Sequence, residues 1–128
     1  MIRRSLFGLV AVAVVAAAFV ELAVPQAFAR DGDTRILLTG TGGSGSARSR
    51  TGNDRLELDV EAEHLKVADG TVLTVMVDGA AAGTMTVNSR SAELELRSDH
   101  RQTVPTIMTG SVVTVVDAAG NVLMTGTF

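Results

Sequence analysis

The sequence predicts an all-β protein: a single antiparallel β-sandwich or small barrel of about eight short, Ig-like strands behind an N-terminal leader. Apolar and polar residues alternate through several short segments, which is the period of a half-buried strand. Turn residues separate these segments about every 8 to 12 residues, as in sandwiches and barrels. Valine and threonine, which favour strands, supply 12 and 14 of the residues after position 29. No segment longer than a turn is predicted to be helical.

The first 29 residues have the layout of a secretory signal peptide. Two arginines stand at positions 3 and 4, an almost wholly apolar stretch covers residues 6–20, and Ala27-Phe28-Ala29 forms a small-residue cleavage site. We expect export to the periplasm or the cell exterior, with cleavage after Ala29. A retained membrane anchor is the alternative, for which the apolar stretch is somewhat short. The predicted β-domain then covers residues 30–128, with no membrane span after cleavage.

The composition argues against several classes of function. Removal of 29 of the 128 residues leaves 9 basic and 13 acidic residues. This negative balance argues against nucleic acid and anionic lipid as partners, because phosphate binding relies on clustered lysine and arginine. The absence of cysteine excludes disulfides, thiol catalysis and cysteine-ligated metals. A single aromatic residue, Phe128, follows the leader, which disfavours carbohydrate modules and aromatic-anchored interfaces.

The clearest strand is Arg55–Glu63, in which aliphatic residues alternate with charged ones. The preceding segment, Ser46–Arg50, is predicted to pair with it through a four-residue turn, so that Ala47 lies opposite Leu58. The glycine-rich stretch Gly40–Gly45 is predicted to be a flexible loop. The remaining predicted strands are Thr34–Thr39, Thr71–Asp78, Gly83–Asn88, Ser91–Arg97, Ser111–Asp117 and Val122–Thr127.

The acidic face of the strand Arg55–Glu63 is a candidate divalent-cation site. Alternate side chains on a strand lie about 6.5–7 Å apart, whereas calcium holds its oxygen ligands at about 2.4 Å. A neighbouring strand would therefore have to contribute, and Glu93 and Glu95 are the candidates. Without a cation, we expect Arg48 and Arg97 to separate the acidic strands; a solvated outer face is the alternative interpretation. The four carboxylates belong to Glu57, Asp59, Glu61 and Glu63.

Two histidines and a methionine, His64, Met76 and His100, are further candidate metal ligands, although no metal site is assigned to them. Imidazole and thioether ligands suit Cu(I). In these residues the chain resembles the periplasmic copper chaperones, small exported β-barrels with a His/Met site, and this resemblance implies a copper site. The family's His-x-Met triplet is missing, since Arg101 and Gln102 follow His100. Met85 and Met124 are predicted to fill the core.

The sequence offers little support for catalysis. Ser98-Asp99-His100 contains the residue types of a hydrolytic triad, but they are consecutive, whereas catalytic members converge from separate elements. We therefore predict a protein that is not an enzyme and binds no cofactor. Outward aliphatic positions such as Val72, Met76, Val112 and Val116 are predicted either to form a modest sticky strip or to pack against a second sheet.

Repeated turn and strand patterns carry a second resemblance. Gly-x-Val-x-x-Val at residues 70–75 and 110–115, Asp-x-x-Gly-x-Val-Leu at 117–123 and the terminal Gly126-Thr127-Phe128 resemble small exported bacterial β-sandwich proteins of uncharacterised function. The resemblance implies the fold class and export. The expected function is a structural or protein-interaction module that binds another envelope or extracellular protein through a β-edge or the Gly40–Gly45 loop. A periplasmic copper or divalent-cation protein is the alternative.

Overall fold

The computed structural model describes residues 32–128, and the predicted signal peptide and its cleavage site lie outside these residues. Ser98–His100 forms a single 3-10 turn, and no helix in residues 32–128 has the length and apolar character needed to cross a membrane. The strands are β1 (Gly32–Gly40), β2 (Gly43–Gly52), β3 (Arg55–Glu63), β4 (Val72–Val77), β5 (Ala80–Thr86), β6 (Ala92–Arg97), β7 (Val112–Val116) and β8 (Val122–Thr127).

All eight strands belong to one antiparallel sheet with the order β5-β4-β7-β8-β1-β2-β3-β6. The sheet curls into a nearly closed barrel, in which the edge strands β5 and β6 approach each other without pairing. At this seam the Leu94 side chain packs on Gly83, and a Cβ on that glycine would lie 2.9 Å from Leu94 Cδ2. The predicted all-β class is confirmed, and the arrangement is the barrel-like one of the two that the sequence left open.

The core fills the inside of the barrel with the inward residues of the alternating strands. Leu58 and Val60 on β3 and Val113 and Val115 on β7 are all fully buried. Met85 and Met124 are buried as well, which confirms their predicted place in the core. The alternation of apolar and polar residues in the sequence therefore predicted the inward face correctly. The side chains on the opposite face of each strand form the outer surface of the barrel.

The predicted register of the β2–β3 hairpin is wrong by two residues. Ala47 lies opposite Val60, not Leu58, and Ser49 lies opposite Leu58. The turn contains only Asn53 and Asp54, whose φ values of 52° and 59° are both left-handed, as a two-residue primed turn requires. The strands therefore extend to the turn and the pairing shifts. Because side chains alternate with a period of two, a shift of two residues keeps every side chain on its predicted face.

The glycine-rich stretch is a tight hairpin and not the flexible loop that we expected. β1 ends at Gly40 and β2 begins at Gly43, so that only two residues form the turn. The glycines are needed for close packing: a Cβ on Gly40 would collide with the Leu123 carbonyl oxygen, and one on Gly45 with the Glu61 carbonyl oxygen. Here glycine allows neighbouring backbones to approach closely. Composition alone does not show whether a glycine serves close packing or flexibility.

The start of β5 also differs from the prediction. Asp78 and Gly79 have left-handed φ values of 52° and 85° and reverse the chain within two residues. Ala80 therefore already pairs with Val77, three residues earlier than the strand start expected at Gly83. The small alanines belong to the strand and not to the turn.

Candidate functional site

Charged side chains form ordered rows on the outer face of β1, β2, β3 and β6. Because these four strands are neighbours, cross-strand pairing aligns their outward residues. We call the three rows that follow the charged face. Its first row is Asp33, Arg50, Glu57 and Arg97; the second is Arg35, Arg48, Asp59 and Glu95; the third is Leu37, Ser46, Glu61 and Glu93.

The first row alternates in sign, and its arginines offset the cost of burying the Glu57 carboxylate. Glu57 is only 4% exposed although it lies on the outer face. Arg50 Nη2 lies 2.9 Å from Glu57 Oε1, and Arg97 Nη1 lies 4.0 Å from Glu57 Oε2. The approach of Arg50 is an ion pair without hydrogen-bond geometry, since Glu57 Oε1 has no hydrogen-bond donor within residues 32–128. Two cations thus offset the cost of burying this carboxylate.

Arg48 does not separate the acidic strands as predicted, because Asp33 holds it. Arg48 donates hydrogen bonds to both carboxylate oxygens of Asp33, at 2.8 and 2.6 Å. This bidentate contact lowers the pKa of Asp33, chiefly through the hydrogen bond from Arg48. Of the two predicted arginines, Arg97 lies beside an acidic residue of β3, and Arg48 points its charge toward β1.

The second row is frustrated because it places like charges side by side. Arg35 lies opposite Arg48, and Asp59 lies opposite Glu95. Asp59 Oδ1 is buried and finds no hydrogen-bond partner in the described part of the chain. Burial is the main cause that raises the pKa of Asp59, and the charges of Glu57 and Glu95 raise it further. Like charges directly opposite each other destabilise a sheet.

Three of these carboxylates are close enough to share a divalent cation. Oxygen atoms of Glu57, Asp59 and Glu95 all lie within 4.8 Å of one another, a spacing that an ion with ligands at about 2.4 Å can bridge. The contribution of Glu95 from a neighbouring strand agrees with the sequence prediction. Glu93 lies one row further on, opposite Glu61. A cation here would compete with Arg50 and Arg97 for Glu57.

An open depression with a volume of about 370 Å³ adjoins the first row. It lies at the β2–β3 turn and includes Asp33, Arg50, Arg55 and Glu57 in its wall. Within residues 32–128 no large apolar residue lines it, whereas small-molecule sites are mostly apolar with a few polar groups. The depression is therefore a continuation of the charged face and not a separate ligand pocket.

A second outer surface, on β4, β7 and β8, carries no charge. Val122 is 55% exposed, Val72 51% and Val112 38%, and no second sheet covers these strands within residues 32–128. The adjoining Leu37, at the edge of the charged face, is 74% exposed. The sequence left open whether this aliphatic strip is exposed or packs against a second sheet, and the structure shows that it is exposed. We call the following outward residues the uncharged face: Val72, Thr74, Met76, Val112, Thr114, Val116, Val122, Thr125 and Thr127.

The candidate copper ligands do not come together. His64 is exposed directly after β3, and His100 is exposed in the 3-10 turn after β6. Because β3 and β6 are antiparallel, the two histidines lie at opposite ends of the pair; the six-residue stretch between these ends is about 20 Å long. Met76 lies on β4, on the uncharged face. The residues that carry the resemblance to copper chaperones therefore do not form a common metal site.

The Ser98-Asp99-His100 segment has structural contacts. Ser98 Oγ accepts a hydrogen bond of 2.8 Å from the backbone N–H of Leu56. Asp99 is ion-paired with Arg97 at 3.3 Å and with Arg55 at 3.4 Å. These contacts hold the 3-10 turn against the start of β3. The partners of Ser98 and Asp99 are thus Leu56, Arg55 and Arg97, and not His100.

The burial of Glu57 and the opposition of Arg35 and Arg48 were not predicted from the sequence. Alternation places Glu57, Asp59 and Glu61 alike on the outer face, and only the tilt and pairing of neighbouring strands distinguish them. The exposure of Leu37 follows from the same alternation, since Ile36 and Leu38 were expected to point inward. No protein-family model matches the chain, and no curated protein matches it.

Proposed function

We propose that this protein is an exported, non-catalytic β-barrel module that binds another protein of the cell envelope or exterior through its uncharged face. The observation that carries the proposal is the group of exposed aliphatic side chains on this face, with Val122 at 55% and Val72 at 51% exposure. Exposed aliphatic residues that share one uncharged face mark a candidate interaction site.

The composition of the uncharged face supports recognition of a protein surface. Valine and threonine are mixed across the strands: Thr74 lies opposite Val116, and Val112 lies opposite Thr127. Threonine hydroxyls beside aliphatic groups provide hydrogen-bonding groups next to apolar contact area, as in the mixed composition of protein interfaces. These β-branched residues also lose little side-chain freedom when a partner covers them.

Export is supported by the leader pattern of residues 1–29 and is tested by the mature N-terminus. We expect Arg30 to be the first residue of the protein recovered from the envelope or the medium of its native host. N-terminal sequencing gives this result directly. A protein that keeps residues 1–29 would contradict cleavage of the leader, and a protein recovered only from the cytosol would contradict the export part of the proposal.

Site-specific photo-crosslinking in the native host tests the binding part. Val122→p-benzoylphenylalanine places a photoreactive group on the uncharged face at the start of β8, and Thr103→p-benzoylphenylalanine is a matched control on an exposed loop. We expect a discrete light-dependent adduct of Val122 with one heterologous protein, reproduced from Val72 and absent from Thr103. Equal crosslinking at all three positions, or none at Val122 and Val72, would contradict the proposal.

A divalent-cation protein is the second candidate, favoured by Asp59 Oδ1, which lacks a hydrogen-bond partner within residues 32–128 and lies beside the carboxylates of Glu57 and Glu95. Calcium titration of the purified protein by calorimetry tests it. Saturable binding that is lost in Asp59→Asn and kept in Glu63→Gln, a change outside the cluster, would favour this candidate. Heat that does not saturate, or that is equal in both variants, would exclude it.

A further inference from the structure

The order of charges across the charged face has a symmetry that the individual ion pairs do not reveal. Read from β1 to β6, the first row has the signs minus, plus, minus, plus, and the second has plus, plus, minus, minus. Each row changes sign when the strand order is reversed. A second copy of the face, laid over the first with its strand order reversed, therefore meets opposite charges in both rows.

The second row gains most from such a neighbour. Arg35 and Glu95 are both exposed, and neither forms an ion pair within residues 32–128. Each faces a like charge on the next strand, Arg48 and Asp59 respectively. The row is thus unfavourable inside one chain, and a surface of opposite order removes the conflict.

From this pattern we propose that two copies of the chain associate through their charged faces, about a two-fold axis that runs parallel to the strands between β2 and β3. Arg35 of one copy then meets Glu95 of the other, and Arg48 meets Asp59. In the first row Asp33 meets Arg97, whereas Glu57, only 4% exposed, stays with the arginines of its own chain. A two-fold contact makes each of these pairs twice.

Other face-to-face arrangements are less favourable. A two-fold axis that crosses the strands at the second row places each side chain of that row against its own copy, so that Arg35 meets Arg35 and Glu95 meets Glu95. Like charges across an interface are strongly unfavourable. The axis between β2 and β3 avoids such contacts in the first two rows, and in the third it places Ser46 against Glu61, a pair that can hydrogen-bond.

The size of the face predicts a weak complex. The three rows take up five residues of each strand, about 17 Å, and four strands span about 15 Å, so that each copy covers about 250 Å² and the pair about 500 Å². This value is well below the roughly 1,200 Å² of a standard specific interface. Two convex barrel surfaces separate toward their flanks, where the long side chains of Arg35 and Glu95 can span the gap. The pair is therefore expected to be concentration-dependent and sensitive to salt.

This inference is a specific form of the proposed interaction role, but its test is independent of the uncharged face. Analytical ultracentrifugation of the protein as its host processes it, at up to 1 mM, measures the mass in 50 mM and 500 mM NaCl. Interference optics are needed because the chain has no tryptophan or tyrosine. At 50 mM salt the Debye length is about 14 Å, so repulsion between two acidic chains is already reduced. We expect the mass to double with concentration at 50 mM and to stay monomeric at 500 mM.

Charge reversal tests the assignment of the contacts. Arg35→Glu and Glu95→Arg should each weaken association at least tenfold, because each creates two like-charge contacts between copies. The double variant restores both opposite-charge contacts and should return the affinity to within about threefold of the original. Arg101→Glu, a reversal on an exposed loop, is the matched control and should leave association unchanged.

The thermal transition of each variant separates loss of association from loss of folding. Each single reversal removes a like-charge neighbour within its own row, so the melting temperature of the dilute monomer should stay equal or rise. A monomer at 1 mM in 50 mM salt would overturn the inference. A dimer that the single reversals do not weaken, or that the double variant does not restore, would overturn it as well. None of these results changes the expected crosslinking from Val122, on which the proposed function depends.

Discussion

Replacement of Asp59 by asparagine should stabilise the protein, although it removes a charge that lies next to arginines. Carboxylate oxygens of Glu57 and Glu95 lie within 4.8 Å of Asp59. At this distance the repulsion per pair is about 0.9 kcal/mol in water and about 3.5 kcal/mol at an effective dielectric constant near 20. Arg48 and Arg50 offset part of it. We expect a net gain of about 1 kcal/mol at pH 7, which raises the melting temperature by about 4–8 °C.

The gain should depend on pH with a definite sign. The folded state raises the pKa of Asp59 above the ordinary aspartate value of 3.8, first through burial and then through its acidic neighbours. Ionised Asp59 therefore costs stability above its native pKa, and this cost fades as the pH falls through that pKa. Below pH 3.8 aspartate is protonated in both states, and the two proteins should differ little.

Urea unfolding followed by circular dichroism, at a series of pH values, measures this difference, since fluorescence would need tryptophan or tyrosine. Glu61→Gln is the matched control: Glu61 is exposed and lies opposite Glu93, so solvent screens the repulsion that it removes and the gain should be smaller. An Asp59→Asn protein that is less stable than the original at pH 7, or a gain that grows as the pH falls, would refute the reasoning.

Three further changes should alter stability in ways that the same unfolding experiment measures. Leu58→Ala leaves a cavity at a fully buried position and should cost about 2–5 kcal/mol; an unchanged midpoint would show that the inward face is misassigned. Gly45→Ala forces a methyl group into a backbone carbonyl on β3 and should cost about 1–3 kcal/mol, whereas Gly32→Ala meets nothing within 4 Å and should be neutral. Asp33→Asn breaks the contact with Arg48 and should destabilise above pH 3.8, with the loss vanishing as the pH falls through the lowered pKa of Asp33.

The direction of the side chains could be predicted from the sequence because successive residues of a strand point to opposite faces. Leu58 and Val60 had to be inward once the charged residues between them were outward, and the structure buries both. Glu95 was a candidate neighbour of the acidic strand β3, and the pairing of β6 with β3 places it opposite Asp59. The facing of a side chain is a local property that depends on alternation along its own strand, whereas the choice of neighbouring strands is not.

The function of each glycine was not readable in this way. A run such as Gly40–Gly45 has the composition of a flexible linker, and its actual role is to let β1 and β2 lie close to β8 and β3. Steric contact with another strand decides between these two interpretations, and that contact involves residues that are distant in sequence.

The sequence by itself determined the number of strands and their approximate positions, their inward faces and the excess of carboxylates. Only the tertiary structure decided the register, the closure of the barrel, and which charges stand next to each other. The physical reason is that a shift of two residues leaves every side chain on its face but changes its partner. Glu57 lies beside two arginines, Asp59 lies opposite a carboxylate, and Arg48 pairs with Asp33. Alternation within one strand carries no information on these pairings.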